Sequence, residues 1–371
     1  MDKRIFQVAL TMIPQLGSRS LRQLLELYPD PRQIFEFSPT ELKLIFGNHA
    51  DTIQAIHSRS MFDRAQDELD FADKYKIKVL FYTDNDYPQR LNSSFCNDTP
   101  VVVYARGECN LNTDKALAVV GSRHATVHGK EYTHHLIEGL RDEEVTIVSG
   151  LAYGIDTMAH TAALDCGLPT VAVLGHGLDQ IYPSQNRGLA ERILNSGGTL
   201  LTEYPHTTRI SPGLFPARNR IIAALTDGTL VAESAQHGGS LITAAIANSY
   251  NREVMAVPGR PTDTYSSGCN SLIIENRAAM VRNADDIMRT MCWERHNASL
   301  QNTIQQEMFA PLNNTEKHII ELLTEFDSLS LDEIAEKCEL TLPKAAATLL
   351  EMELKSLVTV LPGCRYKTSS K

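Results

Sequence analysis

Apolar residues recur at helical spacing over Ile5–Met12, Ser20–Leu27, Thr40–Phe46 and Ala65–Tyr75, broken by Pro14, Gly17, Pro29 and Pro31. This predicts a small helical domain over residues 1–76. From Lys78 the period changes. Lys78–Tyr82 and Pro100–Tyr104 are short Val- and Tyr-rich runs, followed by six apolar strands: Ala116–Val120, Val145–Val148, Thr170–Leu174, Thr199–Thr202, Thr229–Ala232 and Glu253–Val257. Between them lie helical stretches at Gly129–Leu140, Asp156–Cys166, Asn186–Asn195, Arg218–Leu225 and Ser240–Tyr250. Short, continuously apolar strands alternating with helices predict a doubly wound, mostly parallel α/β sheet buried on both faces, over residues 77–293.

Residues 294–311 are polar and read as a linker. Beyond it, residues 312–371 carry three amphipathic helices, with Thr315 capping the first, Leu331–Cys338 the second and Thr341–Leu354 the third. A strand (Val358–Leu361), a Pro362-Gly363 turn and a second strand (Cys364–Tyr366) complete a winged-helix pattern. Near the N-terminus, Ile13–Leu21 has the apolar-Gly step of a helix–hairpin–helix turn, which can hold a phosphate on its amides; an ordinary helix connection accounts for it better.

Composition narrows the choice. The chain has 371 residues, of which 43% are hydrophobic and 22% charged, enough for packed cores and against global disorder. Net charge is −10, and no region is basic: residues 1–112 sum to −2, 113–295 to −4 and 296–371 to −4. A basic coat for polyanions is excluded, so an anion site must be built from a few placed residues and backbone amides. The seven cysteines form no CxxC pair, which speaks for reduced thiols and against a disulfide framework or zinc site. No stretch has the length of a membrane span or the shape of a cleaved signal; a cytoplasmic protein with no membrane partner and no cofactor is expected.

In an open α/β sheet the ligand lies beyond the carboxyl ends of the strands. The first strand runs into Gly121-Ser122-Arg123, a turn, a hydroxyl and a guanidinium suited to phosphate. The second runs into Ser149-Gly150 and Gly154-Ile155-Asp156, where Asp156 either caps the next helix or meets ligand. Between Tyr204 and Thr226 stand Arg209, Arg218 and Arg220 with no acid, beside Phe215, the only phenylalanine of residues 113–295. One ring for stacking beside Arg218-Asn219-Arg220 suits single-stranded nucleic acid. Equally, Phe215 could pack inward and the arginines meet Glu203 and Glu233. Gly238-Gly239-Ser240 opens an apolar helix and forms another amide nest. Val257–Arg260 and Ser266–Leu272 add a long polar loop at the same sheet edge.

These motifs, in order, are similar to those of the DNA-processing protein A (DprA, or Smf) family: GSR at 121–123, SGLAYGID at 149–156, FPARNRII at 215–222, GGSLITAAIA at 238–247, AVPG at 256–259 and GCNSLI at 268–273, with Asp86-Tyr87-Pro88 and Leu91 upstream. The resemblance implies an extended Rossmann-like domain flanked by an N-terminal helical domain of the SAM or helix–hairpin–helix kind and a C-terminal winged helix. It further implies a homodimer that binds and protects incoming single-stranded DNA and loads the RecA recombinase during natural transformation. Carried over, Gly121, Ser122, Arg123 and the amides of Ser149, Gly150 and Gly154 would hold phosphates. Phe215 would meet a base, Arg218, Asn219 and Arg220 would support the groove, and Gly238, Gly239 and Ser240 would close it. Two positions depart from the family pattern: no basic residue precedes Phe215 within Ile210–Leu214, and Arg277-Ala278 stands where Gly-Ala is usual.

The third helix of the tail offers Lys344 against Glu351 and Glu353, so a protein-contacting module is expected rather than a duplex reader. An enzymatic alternative resembles the nucleoside-monophosphate phosphoribohydrolases, whose PGGxGTxxE turn carries a reacting glutamate. With the threonine aligned on Thr243, that acid position is Ile246, which leaves hydrolysis without a general acid or base.

Overall fold

The structure is a computed structural model describing residues 3–294 and 314–368, apart from 327, 339, 356 and 362–364. It divides into two compact units, Met1–Arg295 and His296–Lys371.

The first unit begins with six helices: α1 (Lys3–Thr11), α2 (Ser18–Leu27), α3 (Pro31–Ile34), α4 (Pro39–Phe46), α5 (Ala50–Ser58) and α6 (Phe62–Lys74). Local chemistry starts several of them. Asp30 accepts the Arg32 amide, and Ser38 and Glu41 cap the start of α4 reciprocally, each with a proline at the first helical position. Their apolar faces, including Val8, Leu10, Leu25, Ile34 and Ile56, share one core with sheet residues Val102, Tyr104, Ala172 and Leu200.

Nine strands follow: β1 (Lys78–Phe81), β2 (Val102–Gly107), β3 (Ala116–Gly121), β4 (Thr146–Ser149), β5 (Thr170–Val173), β6 (Thr199–Thr202), β7 (Gly228–Glu233), β8 (Glu253–Ala256) and β9 (Ala279–Met280). They form a single sheet in the order β1-β2-β6-β5-β4-β3-β7-β8-β9. β1 and β2 run antiparallel to their neighbours, and every pair from β6 to β9 is parallel. The intervening helices are α7 (Val127–Glu138), α8 (Ile155–Asp165), α9 (Arg187–Asn195), α10 (Leu214–Ala224), α11 (Gly239–Ser249), α12 (Ser267–Ile274) and α13 (Ala284–Thr290). Alternation along β3 shows why its run is wholly apolar. Ala118 and Val120 face the layer of α10 and α11, whereas Leu117 and Val119 face that of α7 and α8. The six expected strands are all present. β9, two residues long, is too short to leave a periodic signal.

Winding proceeds outward from β3 through β4, β5 and β6, then restarts at β7 on the other side of β3. The chain therefore reverses direction between β3 and β7. At such a switch point the loops diverge and leave a crevice beyond the strand ends.

The second unit contains α14 (Asn314–Glu325), β10 (Leu329–Ser330), α15 (Leu331–Lys337), α16 (Leu342–Leu354), β11 (Val358–Leu361) and β12 (Arg365–Thr368). Its strands form a three-stranded antiparallel sheet, β10-β12-β11, over a core of Ile319, Leu323, Ile334, Leu349 and Met352. Three helices and this ribbon make the expected winged helix, with β10 as an addition. The Pro362-Gly363 turn, Cys364 and the expected linker beyond Glu294 lie outside the described residues.

Candidate nucleic-acid interface

A cavity of about 390 Å³ opens beyond the ends of β3 and β7. Gly121, Ser122 and Arg123 form one wall. The Ser122 amide donates to the Glu233 carbonyl at 2.8 Å, and its carbonyl accepts the Ile155 amide at 3.1 Å, so β7 and α8 both hold this turn. Its hydroxyl accepts the His124 amide at 3.1 Å. The buried Glu233 carboxylate accepts from the Thr126 amide at 3.0 Å and hydroxyl at 2.5 Å, while Thr126 caps α7 through the Gly129 amide. Glu233 is thus engaged at a helix start, where the backbone favours negative charge.

Three expected phosphate ligands are placed differently. Ser149 is fully buried and donates its hydroxyl to the Val119 carbonyl at 2.6 Å, tying β4 to β3. Gly150 is buried under Arg218, whose guanidinium occupies the space a Cβ would take. Gly154 has φ +76° and begins α8; a Cβ there would collide with the Ser122 carbonyl. None of the three lines the cavity. Their part is to let the β4–α8 turn pass close beneath it.

The FPARNR segment divides between cavity and core. α10 begins at Leu214, so Phe215 and Pro216 stand on its first turn rather than ahead of it. The half-buried Phe215 ring lies 5.4 Å from the Tyr182 ring, and the Arg123 guanidinium sits 5.5 Å above its centroid, a cation–π contact. Asn219 lines the same wall. Arg218 reaches the cavity floor but is only 3% exposed. It donates to the Gly150 carbonyl at 2.6 Å and to the Val173 carbonyl, bracing the ends of β4 and β5. Burial pulls its pKa down to about 10, with the Asp156 charge opposing and Arg123 adding. Asp156, also buried, is pushed above the usual carboxylate range by burial, with Arg218 pulling the other way. Asp156 accepts the Ala152 amide at 3.4 Å. It stands in the first turn of α8, where the Arg218 charge offsets part of the cost of its burial.

Arg220 does not line the cavity. It forks onto Glu203 at 2.9 and 2.7 Å and donates to the Ser18 hydroxyl at 3.3 Å. Arg220 thus meets Glu203, as one of the two open readings had it, whereas Phe215 does not pack fully inward but stands half-buried at the cavity. Opposite, Gly238, Gly239 and Ser240 form the start of α11, with the Ser240 hydroxyl on that of Ser234 at 2.9 Å. A helix N-terminus facing the cavity supplies partial positive charge without a cationic side chain. Val120, Ile222 and Ile242 complete an apolar lining. The Arg260 loop, expected at the same edge, borders a different cavity beside β8, with His128 and Tyr132.

Sequence reasoning missed Tyr182 and Asn186. The Asn186 side chain donates to the Leu151 carbonyl at 2.8 Å and to the Thr157 hydroxyl at 2.9 Å, holding Leu151 at φ +55°. No local signal marks these residues, because each works through a partner distant in sequence. Among the described residues, no group of His, Cys, Asp and Glu is arranged to hold a metal ion, and no helix is long and apolar enough to cross a membrane.

Residues 78–292 match the profile of the DNA recombination-mediator protein A family, and residues 309–364 that of the DprA winged-helix domain. This chain belongs to the DNA recombination-mediator protein A family. It is a family of DNA-processing proteins. The chain is 34% identical to Protein Smf of Synechocystis over 316 residues, 76% of this chain and 78% of that protein. It is 38% identical to the DNA processing protein DprA of Streptococcus pneumoniae over 250 residues, 66% and 86% of the two chains. The X-ray structure of the pneumococcal protein superposes with a TM-score of 0.65, covering 78% of this chain and 98% of that one. DNA processing protein A from Helicobacter pylori, solved to explain its single-stranded DNA binding mode, superposes with a TM-score of 0.53 at 27% identity, over 60% and 98%.

Proposed function

We propose that this chain binds single-stranded DNA at the β3–β7 cleft, protects it, and as a cytoplasmic homodimer passes it to the RecA recombinase during transformation. The observation that carries the DNA reading is the half-buried Phe215 ring beneath the Arg123 guanidinium, facing a helix start across the cavity. A base stacks on Phe215 by displacing Arg123, and the freed guanidinium forks onto the adjoining phosphate. The α11 amides and Ser122 take the next phosphate oxygens. With Arg218 and Arg220 engaged inside the fold, affinity rests on stacking, amides and more than one subunit, as the net charge of −10 requires. The helix–hairpin–helix-like turn and the winged helix are accessory domains in this reading, the latter meeting protein.

The test is binding of the full chain to an oligo-dT and to a duplex of equal length, with wild type and Phe215→Ala. Single strand should be preferred, and loss of the ring should cost about 1–3 kcal/mol with the salt dependence unchanged. Equal binding by both proteins overturns the cleft assignment.

A further inference from the structure

We infer that Glu68 and Arg64 of the N-terminal helices are positioning residues for Phe215, acting through His206; the inference rests on the cleft reading above. Glu68, on α6, is a buried carboxylate with no part in the sheet. Its oxygens accept the His206 amide at 2.9 and 3.1 Å and the His206 Nδ1 at 2.6 Å. Arg64, one turn earlier, donates to the His206 carbonyl and to the Thr207 hydroxyl at 3.0 Å, and lies 3.5 Å from Glu68. Asp67 approaches His206 Nε2 at 3.4 Å, and the imidazole stacks flat on Phe71, centroids 4.2 Å apart. α6 thus grips both backbone and side chain of one residue in the loop that leads into α10.

The grip holds strain. Thr207 has φ +62°, a conformation that a β-branched residue adopts only when its surroundings impose it. Beyond it, the Thr208 carbonyl accepts from Gln180, two residues before Tyr182, the ring beside Phe215. At the far end, Arg220 is held by Glu203 and by Ser18 of α2. The segment from 203 to 220 is therefore fastened to the helical layer on both sides of Phe215. A buried carboxylate is costly unless its partners stay in place, so the Glu68–His206 contact favours the one loop path that presents the ring.

The test measures oligo-dT affinity and salt slope of the full chain for Glu68→Gln and Arg64→Gln, each alone and with Phe215→Ala. Each single variant should weaken binding about fivefold with an unchanged slope, and should add nothing in the Phe215→Ala background, where no ring remains to place. Arg90→Gln, which breaks the distant Arg90–Asp227 pair at 2.7 Å, should lower the Tm yet leave affinity unchanged. Arg64 is partly exposed, so its variant carries the test should Glu68→Gln fail to fold. Losses that simply add to that of Phe215→Ala, or wild-type affinity in Glu68→Gln and Arg64→Gln while Phe215→Ala binds weakly, overturn the proposal. Wild-type affinity in Phe215→Ala instead overturns the cleft reading itself.

Discussion

The β3–β7 cleft and helix α16 of the winged helix are the two candidate nucleic-acid surfaces of this chain, and they differ in chemistry. The cleft offers a half-buried ring, an exposed guanidinium and a helix N-terminus, with its one lining carboxylate, Asp156, set against Arg218. α16 presents Leu342 and Leu350 to solvent, flanked by Lys344, Glu351 and Glu353. A helix that reads a duplex needs several donors facing the groove; the charged residues of α16 are one lysine and two carboxylates. The comparison teaches that the winged-helix shape supplies a docking platform, whereas the residues on it decide what docks. Protein is the expected partner of α16, and single-stranded DNA that of the cleft.

The largest expected effect tests the cleft floor. Arg218→Met leaves Asp156 buried without its counter-charge, and should cost the α/β unit about 3–5 kcal/mol. Trp293, the only tryptophan, belongs to that unit and reports its urea unfolding. Wild-type stability would show that the floor does not depend on this pair.

Acid should act selectively on the same unit. His160 is fully buried, its Nδ1 on the Thr170 hydroxyl at 2.8 Å, and burial lowers its pKa to about 3, with Arg218 adding. The folded state thus holds this ring neutral while the unfolded chain protonates near the ordinary value of about 6.5. The stability it contributes is present above that value and is lost as pH falls through the interval toward 3. Between pH 6.5 and 5 the unfolding free energy should drop by about 2 kcal/mol, and His160→Leu should flatten that slope. An equal acid slope in His160→Leu would show that this buried ring does not set it.

A smaller effect separates ring from charge. Arg123→Ala should reduce the salt slope of oligo-dT binding by about 0.7, the share of one phosphate contact on a single strand. An unchanged slope would confine Arg123 to the Phe215 ring. The smallest effect is expected on α16: Lys344→Ala and Leu350→Ser should change affinity for single strand or duplex by less than about twofold. A marked loss of duplex binding in Lys344→Ala would break the comparison.

Much of the fold was legible because its signals are local. The runs of β3 to β8 are apolar on both faces, and Gly139, Gly167 and Gly197 follow the ends of α7, α8 and α9. β9 and β10, two residues each, carry too little pattern to register. Within the site, Gly121–Arg123, Phe215 and Gly238–Ser240 were legible because they follow strands at one sheet edge. The Ser149, Gly150 and Gly154 amides were expected to face ligand because a strand-to-helix turn reads the same in sequence whether it lines a cavity or passes beneath it.

By itself, the sequence determined the order of strands and helices, the motifs at the strand ends and the acidic balance that rules out a basic coat. Periodicity and turn chemistry act between near neighbours, and composition needs no geometry. Only the tertiary structure decided which arginines face the cavity. Arg123 does; Arg218 turns inward to Gly150 and Val173, and Arg220 to Glu203 and Ser18. A guanidinium goes to whichever acceptors the fold brings within about 3 Å, and those acceptors come from other turns of the sheet and from the N-terminal helices.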